Sequence, residues 1–274
     1  MNRYIDINKK SFFAFNIWDV NSAKAVIDAA CNCSRDVILQ TSERVFKELD
    51  KKEFRQYIKD YSYEKNINTY LHLDHCRNID VLKKAVDCNW DSVMYDGSGE
   101  SLQNNISNTN ICSEYAHNSD ILIEAEVGSI IGVEDDISVR EGGIASLNDV
   151  NTFLQNTSVD LIAVAFGTAH GLYKGKPILH YELIDQVKAL TDIPFVVHGG
   201  TGLSDEVFKK LLSYSNVKKI NISTEMKQAY RRGIQKSYEN NLLLEDGFEA
   251  TKIEKLINDE IFSAALNKMT LLND

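Results

Sequence analysis

The chain has 274 residues, 43% of them apolar, with 40 acidic against 30 basic side chains and a formal charge of −10. That length accommodates two ordinary domains or one large α/β domain, and the apolar share suffices for a full core. The acidic balance leaves no basic stripe to neutralise phosphates, which excludes nucleic acid as a partner.

In chain order, the first apolar run is FFAFNI (12–17), carrying Asn16 at its end, and SAKAVIDAACN (22–32) follows with helical spacing. DVILQTS (36–42) ends on Ser42. NTYLHLDH (68–75) ends on Asp74 and His75, and IDVLKKAVDCN (79–89) is its helix, with Asp80 near the opening. DSVMYDGS (91–98) carries Asp96, and DILIEAEVG (120–128) carries Glu126. DLIAVAFG (160–167) is followed by His170, and PFVVHGG (194–200) by the helical SDEVFKKLLSYS (204–215). VKKINIS (217–223) is the eighth run and holds Asn221. Most runs are near-continuous rather than alternating, as parallel strands covered on both faces require. Eight strand–helix alternations read as a (β/α)8 TIM barrel, an α/β fold, spanning 1–274 as a single domain. A doubly wound open sheet is the competing architecture, but no GxGxxG follows an early strand.

In such a barrel, chemistry gathers where the strands end. The ends here carry Asn16, Ser42, Asp74, His75, Asp96, Glu126, His170, His198 and Asn221, with no lysine or arginine among them. Three of the six histidines, His75, His170 and His198, converge from separate strands, the pattern of a zinc site with positions left open for substrate. Each alone reads as a hydrogen-bonded strand-end histidine, but the three together favour the metal. By strand alternation His72 shares a side with Asp74, opposite Leu73 and His75, and is expected to orient its neighbours. His117 and His180 read as surface residues. GTAHG (167–171), HGGTGLSDE (198–206) and NISTE (221–225) run from strand ends towards helix starts, where backbone N–H groups hold a phosphate. Ser204 and Thr224 there serve equally well as plain N-caps.

The five cysteines (Cys31, Cys33, Cys76, Cys88 and Cys112) form no CxxC pair, which fits a reducing compartment better than a disulfide framework. No apolar run reaches bilayer length, and MNRYIDINKK lacks a signal peptide's apolar stretch. The expectation is a cytoplasmic protein with no membrane partner.

LHLDH, SVMYDGS, EAEVGSIIGVED, GTAHGLYKGKP, HGGTGLSDE and NIST resemble, in order, the motifs of the class II zinc-dependent ketose-bisphosphate aldolases. That family includes the fructose-1,6-bisphosphate and tagatose-1,6-bisphosphate aldolases of carbohydrate metabolism, and the likeness runs from about residue 14 past Thr224. It implies a lyase that makes or cleaves a carbon–carbon bond between dihydroxyacetone phosphate and an aldehyde. It further implies that His75, His170 and His198 hold the catalytic zinc and that Asp74 is the catalytic acid/base. Asp96 and Glu126 match acids that hold a second metal in some members, support of the first metal being the other reading of Asp96. Gly171, Gly199, Gly200, Thr201, Asn221, Ile222, Ser223 and Thr224 match the dihydroxyacetone-phosphate site, and Asn16 and Ser42 match further substrate contacts. Glu134 matches a glutamate on a moving loop that handles the other proton transfer; its plain reading is a solvated acid. A monovalent cation, Na+ or K+, near the phosphate and a homodimer or homotetramer are also implied by the resemblance.

The chain departs from the family pattern on the aldehyde side. Ile131, Gly132 and Val133 precede Glu134 where the family has two glycines and an acid, and Trp18 stands where it has a small polar residue. No arginine follows Arg232, where bisphosphate-cleaving members bind the second phosphate, and Lys252 and Lys255 lack the guanidinium fork. These departures imply the same donor with a non-phosphorylated or otherwise unusual aldehyde. A zinc hydrolase on the same barrel would use the three histidines without needing the glycine-rich cradle. An inactive binding paralogue would be expected to have lost Asp74 or a zinc ligand.

Overall fold

A computed structural model describes residues 7, 9–134, 137–139, 143–171, 173, 175–244, 246 and 248–272, with backbone alone for 131, 133, 134 and 137–139. The strands are β1 (Phe12–Asn16), β2 (Val37–Ser42), β3 (Thr69–Cys76), β4 (Ser92–Tyr95), β5 (Leu122–Val127), β6 (Ile131–Glu134), β7 (Ile137–Val139), β8 (Leu161–Val164), β9 (Ala169–His170), β10 (Phe195–Val197) and β11 (Val217–Ile222). Eight of them close into a parallel barrel in the order β1-β11-β10-β8-β5-β4-β3-β2, and β7-β6-β9 form a small separate sheet. The helices are α1 (Val20–Asn32), α2 (Glu43–Glu48), α3 (Lys51–Glu64), α4 (Ile79–Asp87), α5 (Leu102–His117), α6 (Leu147–Asn156), α7 (Tyr181–Leu190), α8 (Asp205–Ser213), α9 (Thr224–Glu239) and α10 (Ala250–Met269). The fold is the (β/α)8 barrel expected from the eight runs. Among the described residues, no helix is long and apolar enough to cross a membrane.

Caps set the helix starts. Asp19 accepts from the Ser22 N–H while the Ser22 hydroxyl accepts from the Asp19 N–H, a reciprocal box that opens α1. Asn78, not Asp80, caps α4; its side chain accepts from the N–H groups of Asp80 and Val81. Asp80 then lies in the first turn, where a negative charge suits the helix dipole.

Strand alternation sorts the side chains into two cores. Phe13, Phe15, Val37, Leu39, Leu71, Leu73, Ile123, Ile162 and Val197 pack outward in the large core shared with the helices. Phe12, Ala14, Ile38, Leu161, Ala163 and Val196, one residue out of phase, form a smaller cluster that fills the barrel's interior. Extending that inner face towards the C-terminal ends gives Gln40, His72, Ser92, Glu124 and Lys219, and then Asn16, Ser42, Asp74, Asp96, Glu126, His198 and Asn221. The interior thus turns from apolar to polar along the barrel axis, so the hydrogen-bonding side chains collect at one mouth.

One break in alternation matters. His75 adopts a left-handed backbone, φ 45°, and the β3–β4 register slips between Leu73↔Val93 and Cys76↔Tyr95. This bulge brings His75 to the inner side beside Asp74, although the two are consecutive. The alternation that sets His75 opposite Asp74 therefore fails at this residue. A non-glycine residue held there stores about 1–3 kcal/mol.

Candidate active site

Ligand atoms of His75, Glu126, His170 and His198 all lie within 4.8 Å of one another, a group that can hold a metal ion. β3, β5, β9 and β10 or the turn just after it deliver them. The ring arrangement is specific. His75 Nδ1 lies 3.2 Å from Asp96 Oδ2, and His198 Nε2 lies 2.8 Å from Glu124 Oε1. Carboxylates accept, so each of these ring nitrogens carries the proton. The opposite nitrogens, His75 Nε2 and His198 Nδ1, face each other at 2.7 Å. Two lone pairs are thereby aimed at one spot, an arrangement that suits a cation. Glu126 Oε2, buried and with no hydrogen-bond partner among the described residues, lies 3.9 Å from His198 Nδ1. A buried orphan carboxylate oxygen beside imidazole lone pairs is a donor set that fits a divalent metal.

The electrostatics follow from this crowding. Burial and the Asp96 carboxylate push the Glu126 carboxyl up to about 7. Burial and neighbouring His75 push His198 down to about 4, so it is neutral and able to coordinate. Burial would raise Asp96, but His75, Arg77 and Ser98 hold it well below the carboxylate range. Arg77 donates to Asp96 Oδ2 from Nε and Nη2 at 3.1 and 3.0 Å. Glu126 and Asp96, matched together to a second metal, thus occupy different positions: Glu126 joins the histidines and Asp96 stands behind His75.

Asp74, 1% exposed, accepts from Gln40 Nε2 at 3.0 Å, from Asn221 Nδ2 at 3.1 Å and more weakly from Asn16 Nδ2 at 3.5 Å. Gln40 also donates to Asn16 Oδ1 at 2.6 Å. Deeper in the barrel, Lys219 Nζ donates to Glu124 Oε2 at 2.7 Å and to His72 Nε2 at 3.1 Å, and His72 Nδ1 lies 2.8 Å from Ser92 Oγ. His72 therefore does border the histidine cluster through intermediaries. His117 and His180 pair with Asp160 and Glu182 on the exterior. Sequence reasoning missed Gln40, Glu124 and Lys219. Their signal was available: each lies two residues before a strand-end polar residue, on the same face.

The glycine-rich segments meet beside this centre. Gly199 has φ 69°, and a Cβ there would lie 2.5 Å from the Ala169 carbonyl oxygen. At Gly200 a Cβ would lie 2.8 Å from the Asn221 oxygen. The Tyr173 hydroxyl bridges the two loops, donating to Gly199 O at 2.8 Å and accepting from the N–H of Ala169 at 3.0 Å, with Gly171 between. Thr201 Oγ1 accepts from the Glu225 N–H at the start of α9. Ser223 occupies the N-cap of α9 without a side-chain cap bond, and its buried Oγ has no partner among the described residues. Thr224 is the first residue of that helix, and the Ile222 side chain belongs to the core, leaving its backbone to face the cradle. Ser204 caps α8 by position alone.

A cavity of about 360 Å³ is lined by Asn16, Trp18, Ser42, Arg44, Lys227 and Tyr230 among others, and Asn16 links it to Asp74. Trp18 and Tyr230 meet edge to face at 5.5 Å. Ser42 also caps α2, accepting from the Val45 N–H. Arg44, on the first turn of α2, is the arginine that lines this cavity. Lys252 and Lys255 pair with Glu249 and Asp259 on exposed ground and do not line this cavity. Glu134 ends β6 by its backbone, in a paired strand rather than an open loop, and its side chain lies outside the described atoms.

Comparison with known proteins completes the picture. Residues 2–274 match the family described as Fructose-bisphosphate aldolase class-II. A sulfofructosephosphate aldolase of Alkalicoccus urumqiensis is 30% identical over 230 residues, which cover 83% of this chain and 80% of that protein. Among solved structures, the YdjI aldolase of Escherichia coli K12 superposes with a TM-score of 0.80 at 23% identity, covering 97% of this chain and 92% of the other. A Coccidioides immitis chain designated a fructose-1,6-bisphosphate aldolase gives 0.87 at 21% identity, covering 99% and 96%. The two structures speak for the fold, and the whole-chain family match speaks for the chemistry. The chain belongs to the class II fructose-bisphosphate aldolase family and is a carbon–carbon lyase of the dihydroxyacetone-phosphate type.

Proposed function

We propose that the substrate is a ketose 1-phosphate whose far end carries a second anion, cleaved with zinc into dihydroxyacetone phosphate and an anionic aldehyde. The single observation that carries this reading is the cavity containing Arg44 and Lys227, contiguous through Asn16 with Asp74. Arg44 and Lys227 both line that cavity, and a guanidinium fork suits a phosphate or sulfonate. His75, His170 and His198, with Glu126 as the fourth donor, are the residues that would hold zinc. Bound there, zinc supplies the Lewis acidity that carbanion formation beside a ketone requires.

The chain's own residues do the rest. Gly171, Gly199, Gly200, Thr201 and the turn Asn221–Thr224 bind the donor phosphate and fix the reacting end. Asp74, held by Gln40 and Asn221, delivers and removes the proton on the aldehyde-derived oxygen. Glu134 takes the donor carbon's proton, a role supported by the family resemblance. A Na+ or K+ ion near the phosphate, a homodimer or homotetramer and a cytoplasmic location belong to the same proposal, supported by that resemblance alone.

The relative named for sulfofructosephosphate makes a sulfonate end the first to try. The test compares kcat/KM for fructose 1,6-bisphosphate, 6-deoxy-6-sulfofructose 1-phosphate and fructose 1-phosphate. One or both anion-ended ketoses should exceed fructose 1-phosphate by about 10- to 150-fold, the worth of a charge-assisted pair, and Arg44→Ala should narrow the gap. Equal use of fructose 1-phosphate would sink the reading.

A further inference from the structure

We propose that Glu124 is a positioning residue for His198, and that the Lys219–Glu124 pair selects which ring nitrogen of that histidine faces the metal centre. The inference rests on His198 being a metal ligand, as proposed above.

A TIM-barrel interior is ordinarily filled by bulky apolar side chains. Here a lysine 1% exposed and a glutamate 0% exposed sit inside it. Buried ion pairs are often no better for stability than apolar residues of the same volume. Fold stability alone therefore gives weak reason to put this pair here.

The hydrogen bonds give a better one, because each determines the next. Lys219 Nζ is a donor only, so His72 Nε2, 3.1 Å away, accepts, and His72 carries its proton on Nδ1 towards Ser92 Oγ. The same ammonium, 2.7 Å from Glu124 Oε2, keeps that carboxylate charged. A charged carboxylate only accepts, so His198 Nε2, 2.8 Å from Oε1, must be the protonated nitrogen. The lone pair is then left on Nδ1, the atom that faces His75 Nε2 and Glu126. Asn221 Nδ2, at 3.4 Å from His198 Nε2, is too distant to reverse this. Asp96 stands in the same relation to His75, on the opposite ring nitrogen. A carboxylate behind a ligating histidine typically governs about 10- to 100-fold of metal affinity.

The logic predicts a rescue. In Glu124→Gln, Lys219 claims the amide oxygen and the amide NH2 is turned to His198 Nε2. That nitrogen must then accept, and the Nδ1 proton is pointed at the metal centre. In Glu124→Gln/Lys219→Met, the amide is free to rotate, offer its oxygen to Nε2–H and restore the original tautomer.

Two measurements test this. Nitrogen-15 NMR of histidine-labelled, metal-free protein should show His198 protonated on Nε2 in wild type and on Nδ1 in Glu124→Gln. Competition against a chelator should show zinc affinity lower by about 10- to 100-fold in Glu124→Gln and largely recovered in the double variant, with thermal unfolding confirming that each is folded. An Nδ1–H tautomer in wild type, or a double variant that binds zinc no tighter than Glu124→Gln, would overturn the proposal. The NMR result is independent of metal, so a wild-type protein that bound no zinc would refute the metal reading and leave the tautomer assignment to stand or fall alone.

Discussion

Replacing Asp74 with Asn separates its catalytic role from its structural one. The carboxylate is buried and accepts two good hydrogen bonds, from Gln40 at 3.0 Å and Asn221 at 3.1 Å. An amide of the same shape keeps one acceptor and turns its NH2 towards the other donor. The loss is one hydrogen bond to a charged group, about 1.5–3 kcal/mol of stability. The chemical loss is separate: an amide cannot exchange a proton with the aldehyde-derived oxygen. Removing a general acid/base costs about 10²- to 10⁴-fold, or about 2.7–5.4 kcal/mol on the barrier. Two assays on one preparation distinguish these effects. Carbon–carbon cleavage, followed by coupled reduction of dihydroxyacetone phosphate, should fall by that factor. Exchange of the donor's carbon-bound proton with solvent, which needs no aldehyde oxygen, should stay within a few-fold of wild type, and zinc content should be unchanged. If exchange and cleavage fell together, Asp74 would merely organise the site. If neither fell, its assignment as acid/base would be wrong.

Gly200→Val should raise KM for the ketose phosphate before it lowers zinc content, because a Cβ 2.8 Å from the Asn221 oxygen closes the backbone approach to the phosphate; an unchanged KM would remove the cradle from the phosphate site. The Glu126 carboxyl, pushed up to about 7, is protonated below that pH in metal-free protein, whereas ligation requires the carboxylate. Zinc binding should thus release more protons at pH 6 than at pH 8, and calorimetry in buffers of different ionisation enthalpy reads the count. About one proton of that increment should vanish in Glu126→Gln, and an unchanged increment would exclude Glu126 as a ligand.

Reading the strands from the residues worked because parallel barrel strands are buried on both faces. FFAFNI and DLIAVAFG are continuous apolar runs, and such runs survive without any long-range information. The catalytic mouth was legible for the same reason, since polar residues such as Asp96 and His198 are conspicuous at the end of an apolar run. The deeper ring was harder. Glu124 and Lys219 sit inside apolar segments, and only the closure of the barrel reveals that they meet across it. His75 misled because alternation assumes extended backbone, and no residue in LDHC announces a left-handed turn. Arg44 was overlooked because it stands on α2, nearly two hundred residues before the C-terminal region where an arginine was expected, and only the fold brings it to the cavity that Lys227 also lines.

The small sheet β7-β6-β9 has its own consequence. Ile131 and Gly132 of β6 are laddered to Ala169 and His170 of β9, so the strand that ends on Glu134 and the strand that bears His170 share backbone hydrogen bonds. Gly132, at φ 129°, permits this because any side chain there would overlap the His170 carbonyl. A displacement of β6 must either break those bonds or carry His170 with it. Position of the hairpin and grip on the metal are therefore linked quantities, and linkage runs both ways. By whatever factor a bound substrate that draws β6 inward tightens the hold on the ion, the ion tightens the hold on that substrate.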